Sequence, residues 1–221
     1  MVLARLAVSA LRYGAGRAAR NLALVLAVAA GPALAEGPRI VALGDSLTHG
    51  YGLPPADGFA PQLQAWLRAN GAPEAVVVNA GVSGDTTAGG LARLEWSLSD
   101  GADALIVELG GNDLLRGIDP ASSRANLDAI LTQAGERGLP VLLSGMRAPG
   151  NYGPDFKQAF DAMYPELAQK HGALLDPFFL AGVAEDRGLW QDDGLHPNAA
   201  GVKVIVERIG PLVLQLIDRI G

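Results

Sequence analysis

One alternation restricts the fold more than any other feature. After Glu36 the chain repeats a short, continuous apolar run followed by a segment of helical period. The runs are Arg39–Leu43, Ala75–Asn79, Ala104–Leu109, Val141–Ser144 and Ala173–Leu175, and each reads as a buried strand. The periodic segments are Phe59–Ala69, Thr87–Leu98, Ser122–Arg137, Asp155–Lys170 and Ala199–Ile220, and each reads as a helix. In the first of these, Phe59, Leu63, Trp66 and Leu67 share a face; Gly138 and Pro140 stop the third. Proline removes a helical hydrogen bond, so a break is expected in the last at Gly210–Pro211. Strands apolar on both sides belong to a parallel sheet covered on both faces, which makes this an α/β domain. No internal repeat, long linker or low-complexity tract interrupts it, so residues 36–221 read as one domain.

Residues 1–35 are of another kind. They hold Arg5, Arg12, Arg17 and Arg20 and no acid, then the apolar run Leu22–Ala30, then small residues at Ala33 and Ala35. Basic, apolar, small-x-small is the order of a secretory signal, with the cut expected between Ala35 and Glu36. Two alanines separate Arg17 from Arg20, so it is not a twin-arginine signal. An uncleaved anchor is the alternative, but the apolar run is shorter than the ~20 residues a membrane span needs. Periplasmic or secreted location is the expectation. Without those four arginines the net charge goes from −6 to −10, which disfavours nucleic acid and anionic membranes as partners. The chain has no cysteine, which removes disulfides, thiolate metal sites and a Cys nucleophile from consideration.

In a parallel sheet of this kind, functional groups gather beyond the carboxyl ends of the strands. The loops there are GDSLTHG, AGVSGDT, GGNDLLRG and GMRAPGNYG. Ser46 stands just past the first strand, either as part of a tight turn or as a group meant to meet substrate. A serine becomes a nucleophile when a base takes its proton, and histidine is the usual base. Of the three histidines, His49 is one helical turn from Ser46 and reads as surface or rim. His171 lies at a helix C-terminus, where a cation suits the dipole. His196 sits in WQDDGLHPN, and the spacing Asp193-x-x-His196 brings a carboxylate within reach of one imidazole nitrogen. The alternative makes Asp193 a turn residue and His196 a helix cap. Gly84 and Asn112 are placed to donate to an oxyanion, or serve as ordinary turn residues. Leu114, Leu115 and the stretch from Met146 to Tyr152 are candidate walls for an acyl chain. A shallow groove for short or aryl esters is equally open.

Taken together, GDS with Ser46, SGD with Gly84, GGND with Asn112 and DGLHP with Asp193 and His196 resemble the SGNH, or GDSL-type, hydrolase family. The order of the blocks and their positions after successive strands both match, over about residues 39–200. GDSLTHGYG, NAGVSGDTT, GLARL, VELGGNDLLRG, APGNYG and QDDGLHPN are most similar to its periplasmic thioesterase I/protease I/lysophospholipase L1 branch, near the arylesterases. The resemblance implies a flavodoxin-like three-layer sandwich with strand order 2-1-3-4-5. It implies Ser46 as nucleophile, His196 as base and then acid, and Asp193 as the residue orienting His196. The oxyanion hole would be the N–H groups of Ser46 and Gly84 with the Asn112 amide; Asp45 would hold the turn. It further implies small acyl ester or thioester substrates, no cofactor or metal, and a monomer or weak homo-oligomer. Leu53–Gly58 looks longer than in similar chains and is a candidate to reshape the site's rim. Alternatives are a carbohydrate deacetylase of the same family, an inactive binding protein and a nucleotide-binding module. The last lacks both the G-x-G-x-x-G and the G-x-x-x-x-G-K-[ST] pattern.

Overall fold

The computed structural model describes residues 37–221; the expected signal segment lies outside the described residues. Five strands form one parallel sheet: β1 (Arg39–Gly44), β2 (Val76–Gly81), β3 (Ala104–Glu108), β4 (Val141–Ser144) and β5 (Leu174–Asp176), ordered β2-β1-β3-β4-β5. The apolar runs dictate this order of burial. The interior residues of β1 and all of β3 and β4 are buried, whereas the edge strands β2 and β5 are only partly so. Each burial of a Leu, Val or Ile side chain contributes about 1.5–3 kcal/mol.

The helices are α1 (Ser46–His49), α2 (Phe59–Ala69), α3 (Thr87–Ala92), α4 (Leu94–Ser97), α5 (Gly111–Leu115), α6 (Pro120–Glu136), α7 (Pro154–His171) and α8 (Ala199–Ile217). The first crossover runs one way along the sheet and the later ones run back. Right-handed connections therefore put α2 on one face and α3, α6 and α7 on the other. The last helix, α8, packs on α2.

Three departures from the sequence reading have a clear physical reason. The segment Thr87–Leu98 is two helices, divided at Arg93, whose side chain turns inward to bond Gly44, Ala80 and Asp85. The third long helix starts earlier, at Pro120, because the Asp119 carboxylate accepts from Ala121 N–H and proline suits the first helical position. The expected break at Gly210–Pro211 is absent, and α8 runs through both. Gly210 lies where any β-carbon would come within 2.4 Å of the Trp66 ring, so α2 packs on the bare backbone there. Val206, Ile209 and Val213 are buried around that contact and keep the helix packed on either side of the proline.

The register matters for the site. Gly81, Gly44, Glu108, Ser144 and Asp176 align as one row across the carboxyl edge. Gly44 is the close-packed member: a β-carbon there would come within 2.0 Å of Thr48 Oγ1. The bare glycine lets β1 turn at once into α1, and the loops beyond this row carry the candidate residues.

Candidate active site

Ser46 is the first residue of α1. Asp45 caps that helix: its Oδ1 accepts from Leu47 N–H at 2.9 Å. The serine Oγ lies 2.9 Å from His196 Nε2, although the two residues are 150 positions apart in sequence. His196 Nδ1 lies 2.6 Å from Asp193 Oδ2. With Nδ1–H donating to the carboxylate, Nε2 is left to accept the serine proton.

Asp193 serves both readings raised by its spacing. Its Oδ1 accepts from the N–H groups of Leu195 (2.9 Å) and His196 (3.0 Å), which makes the turn. Its Oδ2 meets the imidazole. The imidazole bond first, and then the two backbone N–H bonds, pull the Asp193 carboxyl down to about 2. His196 does not cap α8; Asn198 does, accepting from Gly201 N–H at 3.0 Å. The turn is tied down by Gln191, whose N–H donates to His196 O and whose side chain donates to Tyr51 O and Pro197 O. Asp192 makes no such bridge and faces solvent. The other two histidines lie elsewhere: His49 is exposed beside Gly81 O, and His171 ends α7 against Asp128.

A cavity of about 380 Å³ opens over the serine. Ser46, Gly84, Asn112 and His196 share its wall with Leu114, Leu115 and Met146. The Asn112 amide donates one hydrogen to Asp45 Oδ2 at 3.0 Å, and the second is available on the cavity side. Tyr152 does not line the cavity, contrary to the candidate wall drawn from sequence. Gly150–Tyr152 forms a tight 3-10 turn that lays the tyrosine ring on Phe156, 4.8 Å between centroids. The Leu53–Gly58 stretch is not in the wall either.

Sequence reasoning passed over other contributors. Tyr51, Leu180 and Leu195 complete the wall, and the Tyr51 ring sits 4.7 Å from the imidazole. Leu195, next to the histidine, was the one position with a local signal. Beneath the serine lies a second acid, Glu108, wholly buried at the end of β3. Its Oε2 accepts from Thr48 Oγ1 at 2.8 Å, while Oε1 has no partner. Burial, and then the charge of Asp45, pushes the Glu108 carboxyl well above the usual carboxylate range. Burial likewise raises Asp45 to about 6, opposed by the bonds from Leu47 N–H and the Asn112 amide. Among the described residues no group of three or more His, Asp or Glu side chains is arranged to hold a metal ion.

A hydroxyl, an imidazole and a carboxylate thus form one hydrogen-bonded chain at the wall of an apolar cavity. The GDSL-like Lipase/Acylhydrolase family profile matches residues 42–204. The chain belongs to that family. This GDSL-like hydrolase is 41% identical to Esterase TesA of Pseudomonas aeruginosa over 184 residues, covering 83% of this chain and 91% of the relative. It is 39% identical to thioesterase 1/protease 1/lysophospholipase L1 of Escherichia coli K12 over 185 residues, covering 83% and 87%. Among solved structures it resembles AlinE4, an SGNH-hydrolase family esterase, at TM-score 0.70 and 46% identity, covering 83% of this chain and 98% of that one.

Proposed function

We propose that this hydrolase cleaves carboxylic esters and thioesters of small acyl substrates through an acyl-enzyme on Ser46. The observation that carries the reading is the continuous Ser46–His196–Asp193 hydrogen-bond chain, at 2.9 and 2.6 Å, opening into the apolar cavity. Ser46 Oγ attacks the carbonyl carbon while its proton passes to His196 Nε2. Asp193 stabilises the imidazolium so formed. The negative oxygen is met by the N–H groups of Ser46 and Gly84 and by the free hydrogen of the Asn112 amide. Collapse breaks the C–O or C–S bond, and the imidazolium returns its proton to the leaving alcohol or thiol. Water then adds to the acyl-enzyme, giving a proton to His196. The bond to Ser46 breaks, the serine recovers its proton and the acid departs.

Each methylene buried against Leu114, Leu115, Met146, Leu180 and Leu195 contributes about 0.8 kcal/mol, which favours acyl chains over acetylated sugars. No helix among the described residues is long and apolar enough to cross a membrane. The basic, apolar, small-x-small order of residues 1–35 supports export and cleavage after Ala35.

Intact-mass and peptide analysis of enzyme recovered from the periplasm and treated with an organophosphate tests both parts. One adduct, on Ser46, of a chain beginning at Glu36 is expected. Label on another residue overturns the nucleophile, and a chain retaining residues 1–35 overturns the cut.

A further inference from the structure

Two of the three oxyanion donors are backbone N–H groups on different loops, one after β1 and one after β2. Such donors act only within about 2.7–3.1 Å of the developing charge, so something must hold the two loops at a set spacing. One side chain touches both. Arg93, at the junction of α3 and α4, is only 16% exposed and points under the loops. Its Nη2 donates to Gly44 O at 2.8 Å, two residues before Ser46. Its Nε donates to Asp85 Oδ2 at 2.5 Å, one residue after Gly84. Its Nη1 donates to Ala80 O at 2.7 Å, near the end of β2, and to Ser97 Oγ at 3.1 Å on α4.

We propose that Arg93 is a positioning residue for acyl transfer, its planar guanidinium fixing the Ser46 and Gly84 N–H groups relative to each other. The inference rests on the serine acyl-transfer reading above. The guanidinium is rigid and forked, so four bonds from it to four separate groups define one relative placement of both loops. A lysine carries the same charge on one point and cannot make that bridge. Gly44 O also accepts from Val82 N–H at 3.0 Å, so the β1 side of the clamp is itself part of the sheet edge. On its far side Gly84 is held through its carbonyl by Arg116 Nη2 at 2.7 Å, from the end of the helix that carries Asn112. The loop is thus held by two arginines, Arg116 through the Gly84 carbonyl and Arg93 through the Asp85 carboxylate, and the one that also reaches the serine loop is Arg93.

The test compares R93A, R93K and D85N with the native protein and with S46A. It reads kcat and KM for p-nitrophenyl acetate, inhibition by phenylboronic acid and thermal melting. The boronate becomes tetrahedral on a serine and so senses the donors that a planar ester does not yet use. R93A is expected to lower kcat by about 10–100-fold, the effect of a misplacement near 1 Å, with KM nearly unchanged. Boronate affinity falls by a similar factor, and R93K restores melting temperature without restoring kcat. Native-like kcat in folded R93A, or boronate binding that stays intact, overturns the proposal and leaves Arg93 as a stabiliser only. If R93A does not fold, D85N decides: it removes the charge that ties the Gly84 loop to Arg93 while the bonds to Gly44 and Ala80 stay. Its kcat falls with KM retained if the clamp positions the donors, and stays within about twofold if it does not. S46A separates the two levels, because activity surviving in S46A removes the acyl-transfer reading whatever the Arg93 variants show.

Discussion

Asp193 and Asp45 are both first neighbours of reacting groups, yet they live in opposite surroundings. Asp193 stands on the rim with its side chain 40% exposed, and hydrogen bonds draw its carboxyl down to about 2. Asp45 lies beneath the serine at 2% exposure, and burial lifts it to about 6. One residue type is thereby given two behaviours by its surroundings. The rim acid is charged under all working conditions and holds His196 in one tautomer. The buried acid is charged only above mildly acidic pH, and the orientation of the Asn112 amide depends on that charge.

The contrast is broken most severely at the rim. D193N removes the charge and offers an amide that donates to Nδ1. The imidazole then carries its proton on Nε2 and cannot accept from Ser46. We expect kcat to fall by about 10³–10⁴-fold, measured with saturating p-nitrophenyl ester, while the fold is kept. Because Asp193 stays ionised down to about pH 2, its protonation does not cause any activity loss seen between pH 4 and 7. The sign for stability follows: a depressed carboxyl contributes above its unfolded value and loses that contribution only as pH falls toward 2.

How much of this was legible beforehand varies with the range of the cause. The strands were readable because central strands of a parallel sheet must be apolar on both sides, as Val41–Leu43 and Leu105–Val107 are; their order came from the family resemblance. Ser46, Gly84, Asn112, Asp193 and His196 were readable because each stands in a short block just past a strand or before the last helix. Tyr152 was misplaced because the turn that aims its ring at Phe156 is a matter of backbone geometry within GMRAPGNYG. Arg93 is, in sequence, one more cation in a helical stretch, and Glu108 the one acid in the run ALIVEL. Each is tied to the serine loop by a partner 49 or 63 residues away, which no local pattern announces.

The buried side gives the next effect. D45N cannot accept as a carboxylate does from both Leu47 N–H and the Asn112 amide, so the oxyanion donor is loosened rather than lost. We expect kcat at pH 8 to fall by about 10-fold, less than the 10²–10³ that deleting such a donor costs. The charged and titratable groups facing Asp45 are Glu108 and His196, and D45N leaves both in place. Its pKa is raised on folding, so the native protein binds this proton more tightly than the unfolded chain does. That contribution is full below the unfolded value and is lost as pH rises through about 6. Denaturant melts at pH 5 and pH 8 should show the native protein losing about 1.4 kcal/mol more than D45N across that range. An unchanged slope in D45N would place the titrating group elsewhere.

The smallest effect is the sharpest check on the comparison, because it asks whether the second buried acid is charged at all. Burial and the neighbouring Asp45 charge favour a neutral Glu108 at pH 7. Glutamine has the same shape and no charge. Its oxygen takes over the bond from Thr48, and its NH2 falls where Glu108 Oε1 already lacks a partner. E108Q is therefore expected to keep kcat within about twofold and stability within about 1 kcal/mol at pH 7. The raised carboxyl contributes stability that is lost as pH rises above the usual carboxylate range and through its folded value, so the native protein should weaken over that rise more than E108Q does. A loss in E108Q at pH 7 as large as that in D45N would mean that Glu108 is ionised there. Two adjacent buried carboxylates would then both carry charge, and burial would no longer account for the difference between Asp45 and Asp193.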